Sequence, residues 1–181
     1  MNYDQQNREA PGGLKKRTGS IVMRYITAVV FVLTAALPTA NVLSSGSEFG
    51  LYSLLYVLPF LIIALGLFIR VRQISAIGAA VGVVANIYFL IEPILAEWYE
   101  LSTLLPYALT ILYFLLLIPA SIKISRTKII FAVPASLTAV ALLIVDYMMW
   151  GDFVLFNVAL YLLMALGAFG LGFVDGKKKG R

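Results

Sequence analysis

The chain has 181 residues, 61% of them hydrophobic and 13% charged, with a formal net charge of +5. A soluble domain is nearer half apolar and about a quarter charged, so the composition points away from a soluble fold, and the length suits one compact bundle with no second domain. With no Cys and no His, haem ligation by His or thiolate, Cys/His zinc sites, iron–sulfur clusters and His- or Cys-dependent nucleophilic triads are excluded.

Residues 1–20 are polar, with Pro11-Gly12-Gly13 and the run Lys15-Lys16-Arg17. Such a segment cannot bury enough apolar surface to fold alone, which predicts a disordered basic tail. Six apolar stretches follow, over 21–43, 51–69, 74–95, 103–122, 129–150 and 153–174. About 20 residues cross roughly 30 Å of hydrocarbon, and a spanning segment must be helical to satisfy its own backbone. Arg24 lies close enough to the start of the first stretch to snorkel to the headgroups. That stretch also has features of a secretory signal: Lys15–Arg17, an apolar core and Ala35-Ala36. It is long for such a signal, and a cut after Ala40 would put Pro38 where a small residue is needed. Cleavage is therefore not expected. Residues 175–181 form a second basic tail.

The 14 Lys and Arg fall in four places: Arg8, Lys15, Lys16, Arg17 and Arg24; Arg70 and Arg72; Lys123, Arg126 and Lys128; Lys177, Lys178, Lys179 and Arg181. They alternate with turns that hold acid and no base: Glu48; Glu92, Glu97 and Glu100; Asp146 and Asp152. Positive charge near span ends stays cytoplasmic. One topology satisfies the pattern: both termini inside, 14 basic against 3 acidic residues on that face (+11), and 6 acids facing out (−6). The basic excess is thus a topology and lipid signal rather than a nucleic-acid footprint. Anionic headgroups attract such segments by about 1 kcal/mol per charge. The inner turns, of about four to six residues, force neighbouring helices to lie adjacent and antiparallel. The expected fold is all-α: a polytopic six-helix bundle of three antiparallel hairpins. The longer outer turn from Glu92 to Ser102 carries Trp98 and Tyr99. With Tyr52, Tyr56, Tyr107, Tyr147 and Trp150 it forms an expected outer aromatic belt.

Small residues recur at four-residue spacing: Gly78 and Gly82, flanked by Ala76 and Ala80; Ala168, Gly172 and Gly176; Ala36 and Ala40; Ala135 and Ala139. Such stripes let helices approach closely, within the bundle or against another subunit. Pro38, Pro59, Pro106, Pro119 and Pro134 shape several spans. Polar residues in a membrane are costly and become candidate sites. Asn86 stands about 18 Å from the inner end of its span, slightly past the midplane. Asn41, Glu92, Asp146 and Asn157 lie nearer the outer surface. These five are the candidate ligand-binding residues, for a shallow pocket open to the outside. Asn86 and Glu92 are six apart and so differ by about 120° around their helix.

An intramembrane aspartate pair could hydrolyse a peptide, but only Asp146 and Asp152 offer themselves, both at the outer edge. Phe156-Asn157-Val158-Ala159 resembles the start of the Phe-Asn-x-Ala-Asp motif of lipoprotein signal peptidases, with Leu160 where the catalytic Asp belongs. The chain is therefore expected not to be an enzyme, and to need no metal or cofactor. Six short spans, small-residue stripes and an outward polar pocket resemble the substrate-binding components of energy-coupling vitamin transporters. Ala36-Leu37-Pro38-Thr39-Ala40 is similar to the Ala-x-x-x-Ala by which the first helix of that family docks its partner. This resemblance implies a solute-binding or transport subunit of the plasma (inner) membrane. The alternative is a non-catalytic accessory, assembly or immunity-type subunit. Expected partners are the bilayer, anionic headgroups at the inner face, and another membrane protein or a second copy; no nucleic acid is expected.

Overall fold

The computed structural model describes residues 11–44, 46, 50–96, 100–122, 126–151 and 154–174, with side chains from Ser20 onward except that of Arg126. Six helices follow one another: α1 Pro11–Ser44, α2 Leu51–Phe68, α3 Arg72–Leu95, α4 Leu101–Ile122, α5 Ile129–Trp150 and α6 Leu155–Phe173. A 3₁₀ turn, Arg126–Lys128, leads into α5. All six are long and apolar enough to cross a membrane, α1 through its portion Ser20–Ser44. Their outward faces are apolar too, as at Val84, Leu137 and Met148, which suits contact with hydrocarbon rather than water.

Helix ends follow local chemistry. Arg70 closes α2 in the left-handed region at φ 64°, and the Val71 N–H donates to the Gly66 carbonyl at 2.9 Å. This is the hydrogen bond of a Schellman motif, with a cation where glycine usually sits, at a backbone cost of about 1 kcal/mol. Gly151 closes α5 at φ 74° and donates to Tyr147 at 2.8 Å. The start of α1 departs from expectation. Residues 11–20 continue the helix instead of belonging to an unfolded tail. Pro11 is pre-organised for a first helical position, and extending an existing helix avoids a new nucleation step. The rest of that tail (1–10), the tail 175–181, and Glu48, Glu97, Trp98, Tyr99 and Asp152 lie outside the described residues.

Each helix packs on the next along the chain, and α6 packs back on α1. The six therefore close into a ring. Large buried side chains fill its axis: Phe31, Phe60, Tyr113, Phe114, Leu117 and Met164. Phe60 links α1 to α4, its ring centroid 6.4 Å from Phe31 and 5.3 Å from Phe114. Small residues bring the helices this close. A Cβ on Gly78 would stand 2.7 Å from the Ile63 nitrogen and 2.9 Å from the Pro59 carbonyl oxygen, and one on Gly82 would enter the Phe114 ring. Gly172 lies against Ala132 of α5, and Ala168 is fully buried.

Ala36 and Ala40 differ from these. Both are exposed on the outer surface of α1, so they do not serve packing inside the bundle. The inward stripe of α1 is instead Thr27, Ala28, Phe31, Thr34 and Ala35. Ala36 is turned about 100° from Ala35, as helical periodicity requires.

Candidate functional site: the interior and the two polar ends

Apart from Ser121, the buried polar side chains of the helical interior bond to backbone carbonyls. Thr27, Thr34 and Thr138 donate to the carbonyl four residues back, at 2.7, 2.8 and 2.9 Å. Asn86, 4% exposed, does the same through Nδ2 to Gly82 at 2.8 Å. Three bonds cross between helices: Ser75 Oγ to Ile63 O at 3.1 Å, Tyr113 Oη to Met164 O at 2.9 Å and Ser136 Oγ to Ala165 O at 2.9 Å. Each satisfies a donor that hydrocarbon would leave unpaired.

The five candidate ligand residues occupy four separate places. Asn86 points inward and Glu92 outward on α3, in keeping with their 120° offset. Glu92 joins Tyr52 and Tyr88 in a small group at the ends of α2 and α3. There the Tyr52 hydroxyl is within hydrogen-bonding reach of both partners, and the Tyr52 and Tyr88 rings lie 6.1 Å apart. Asn41 is exposed on α1, where its carbonyl accepts the Ser44 hydroxyl at 3.0 Å. Asp146 and Asn157 are brought together: Asn157 Nδ2 donates to Asp146 Oδ2 at 2.9 Å, joining α5 to α6. Tyr56 and Tyr161 lie within electrostatic reach of this carboxylate, and Tyr107 within reach of Tyr56. Tyr56 is thus part of an inward cluster and stacks obliquely on Phe60, rather than belonging to a lipid-facing belt.

The opposite end is cationic. Asp146 lies 18 residues beyond Lys128, about 27 Å along the helix axis. The Arg24 guanidinium sits 5.0 Å above the Tyr25 ring, and the Tyr25 hydroxyl is in reach of Arg70 as well. Lys128 is 4% exposed and donates through Nζ to the Val174 carbonyl at the end of α6. At the same end lies a cavity of about 20 Å³ lined by Leu67, Arg72, Ser75, Ala120, Ser121, Leu171 and Val174. In the sequence Arg70, Arg72 and Lys128 mark only topology, and Ser121 gives no signal. Gly66, Gly167 and Gly170 also lie outside the pattern of four-residue spacing. Gly66 stands alone against Ser75, and the other two, three apart, meet Phe31 and Thr27 of α1.

Among the described residues, no three His, Cys, Asp or Glu side chains converge on a point that could hold a metal ion. No family model matches the chain, and no curated protein or solved structure is similar to it.

Proposed function

We propose that this protein is a non-catalytic subunit of a larger plasma-membrane assembly, set in the bilayer as three out-and-back hairpins with both termini and the cationic end in the cytoplasm. The filled axis carries this reading. Phe31, Phe60, Tyr113, Phe114, Leu117 and Met164 close the centre of the ring, and the polar groups around them are committed to backbone carbonyls. Such an interior favours a packing role over passage of a polar solute. The outward face at Ala36 and Ala40 suits a helix of another membrane subunit, because small residues permit close backbone approach. Separation of Arg24, Arg70, Arg72 and Lys128 from Asp146 by nearly the hydrocarbon thickness supports the orientation. The test is photo-crosslinking from position 36 in native membranes. A defined protein adduct is expected there, and none from Val84 on α3; equal yields from both positions would count against the reading. Reporter fusions at Glu97 and Arg126 test the orientation, with the first external and the second cytoplasmic.

A second reading keeps solute binding, and the Asp146–Asn157 pair with Tyr56, Tyr107 and Tyr161 favours it. A half-buried carboxylate beside tyrosine rings suits a cationic group, through charge and cation–π attraction. Asp146→Asn would then abolish uptake or binding of an organic cation while leaving the fold intact.

A further inference from the structure

We infer that the cavity at the cationic end binds a phosphate group, one oxygen of which enters between Ser121 and Arg72. Four observations converge there. Ser121 is 7% exposed, and its Oγ has no hydrogen-bond partner among the described residues. A hydroxyl left without a partner in so apolar a setting is costly, and this one lines the cavity. Arg72 lines the same cavity and brings a guanidinium, whose planar fork suits phosphate oxygens. Arg72 is also the first residue of α3, which has no side-chain cap at Val71. The first-turn amides of a 24-residue helix therefore lie at this end with their positive partial charge.

Among the described residues, the charged groups at this end have the same sign. Lys128 reaches the Val174 carbonyl at the cavity wall. Gly167 lies against Phe31 and Gly170 against Thr27, so the part of α1 that carries Arg24 belongs to the same end of the ring as the close of α6. Arg24 Nε and Nη2 are buried without hydrogen-bond partners among the described residues. The described acids Glu92, Glu100 and Asp146 all belong to the other end of the ring. Ser75, which also lines the cavity, is committed to the Ile63 carbonyl through its Oγ.

Size limits what enters. A cavity of about 20 Å³ holds about one water-sized atom. A phosphate must stay at the mouth and insert a single oxygen. That geometry fits a phospholipid headgroup at the membrane surface or a free phosphate ion. Among lipids a net-anionic headgroup is preferred, because the choline of phosphatidylcholine would bring another cation beside Arg72. The site does not depend on whether the bundle docks a partner protein.

The experiment uses the full chain in nanodiscs. Phosphatidylglycerol diluted in phosphatidylcholine is one probe, read as retained lipid by native mass spectrometry. Inorganic phosphate added to phosphatidylcholine nanodiscs is the other, read as a shift in melting temperature. The wild type should retain one phosphatidylglycerol in preference to phosphatidylcholine. Ser121→Ala and Arg72→Gln should each weaken retention by about tenfold, Arg72→Lys by less. Arg70→Gln removes the same charge outside the cavity and should leave retention unchanged. Stabilisation by inorganic phosphate with the same dependence on Ser121, and no lipid preference, would support the site and identify a free anion as its occupant. If Arg72→Gln fails to fold, Ser121→Ala decides. The proposal is overturned if neither probe binds, or if Ser121→Ala changes nothing while Arg70→Gln weakens retention as much as Arg72→Gln.

Discussion

Two stripes of small residues look alike in the sequence and end in opposite environments. On α3, Gly78 and Gly82 are buried against Ile63, Pro59 and Phe114. On α1, Ala36 and Ala40 have the same spacing and face outward. The spacing specifies a flat helix face. Which side the face turns to depends on the large residues one turn away: Phe31, beside Ala28 and Ala35, turns the other side of α1 inward. A small-residue stripe therefore marks a place where a helix can approach, whether that helix belongs to the same chain or to another.

Substitutions can break this comparison at either stripe. The largest effect is expected from Gly78→Leu. Its Cβ alone would meet the Ile63 nitrogen at 2.7 Å, and backbone atoms cannot swing aside. A loss of about 3 kcal/mol or more is expected, read as a lower melting temperature or aggregation in mild detergent. Gly66→Ala should follow, at about 1–3 kcal/mol, because the added methyl would fall on the backbone of Ser75. Tyr113→Phe sharpens the picture inside the ring. It keeps the aromatic packing against Phe114 but removes the bond to Met164 O, for about 0.6–1 kcal/mol in reversible unfolding. The smallest effect is expected from Ala36→Leu with Ala40→Leu, within about 0.5 kcal/mol in the isolated protein. The same pair should nonetheless abolish crosslinking to a partner in native membranes. If the alanine pair unfolds the isolated chain, the two stripes are equivalent and the distinction fails.

Much of this architecture can be read from residue types, because a membrane imposes length and apolarity on every span. The fifth span, 129–150, coincides with α5 since charge at Lys128 and the left-handed Gly151 bound it on both sides. The start of α1 was not legible: composition describes what a segment does alone, and residues 11–20 are attached to a helix that can extend into them. The split between Asn86 and Glu92 follows from helical geometry. The bond between Asp146 and Asn157 does not, because it depends on how α5 and α6 register across Gly151. Ser121 was invisible for a similar reason. A serine at the end of an apolar helix has no distinguishing neighbours in sequence, and only the convergence of α2, α3, α4 and α6 gives it a cavity to face.

The central claim is that a filled six-helix ring acts through its outer surface. Native mass spectrometry of the protein released gently from its own membrane tests it most directly. A stoichiometric protein partner is expected, and it should disappear with Ala36→Leu and Ala40→Leu. A bound polar solute at one per chain with no protein partner, or a bare monomer, would contradict it.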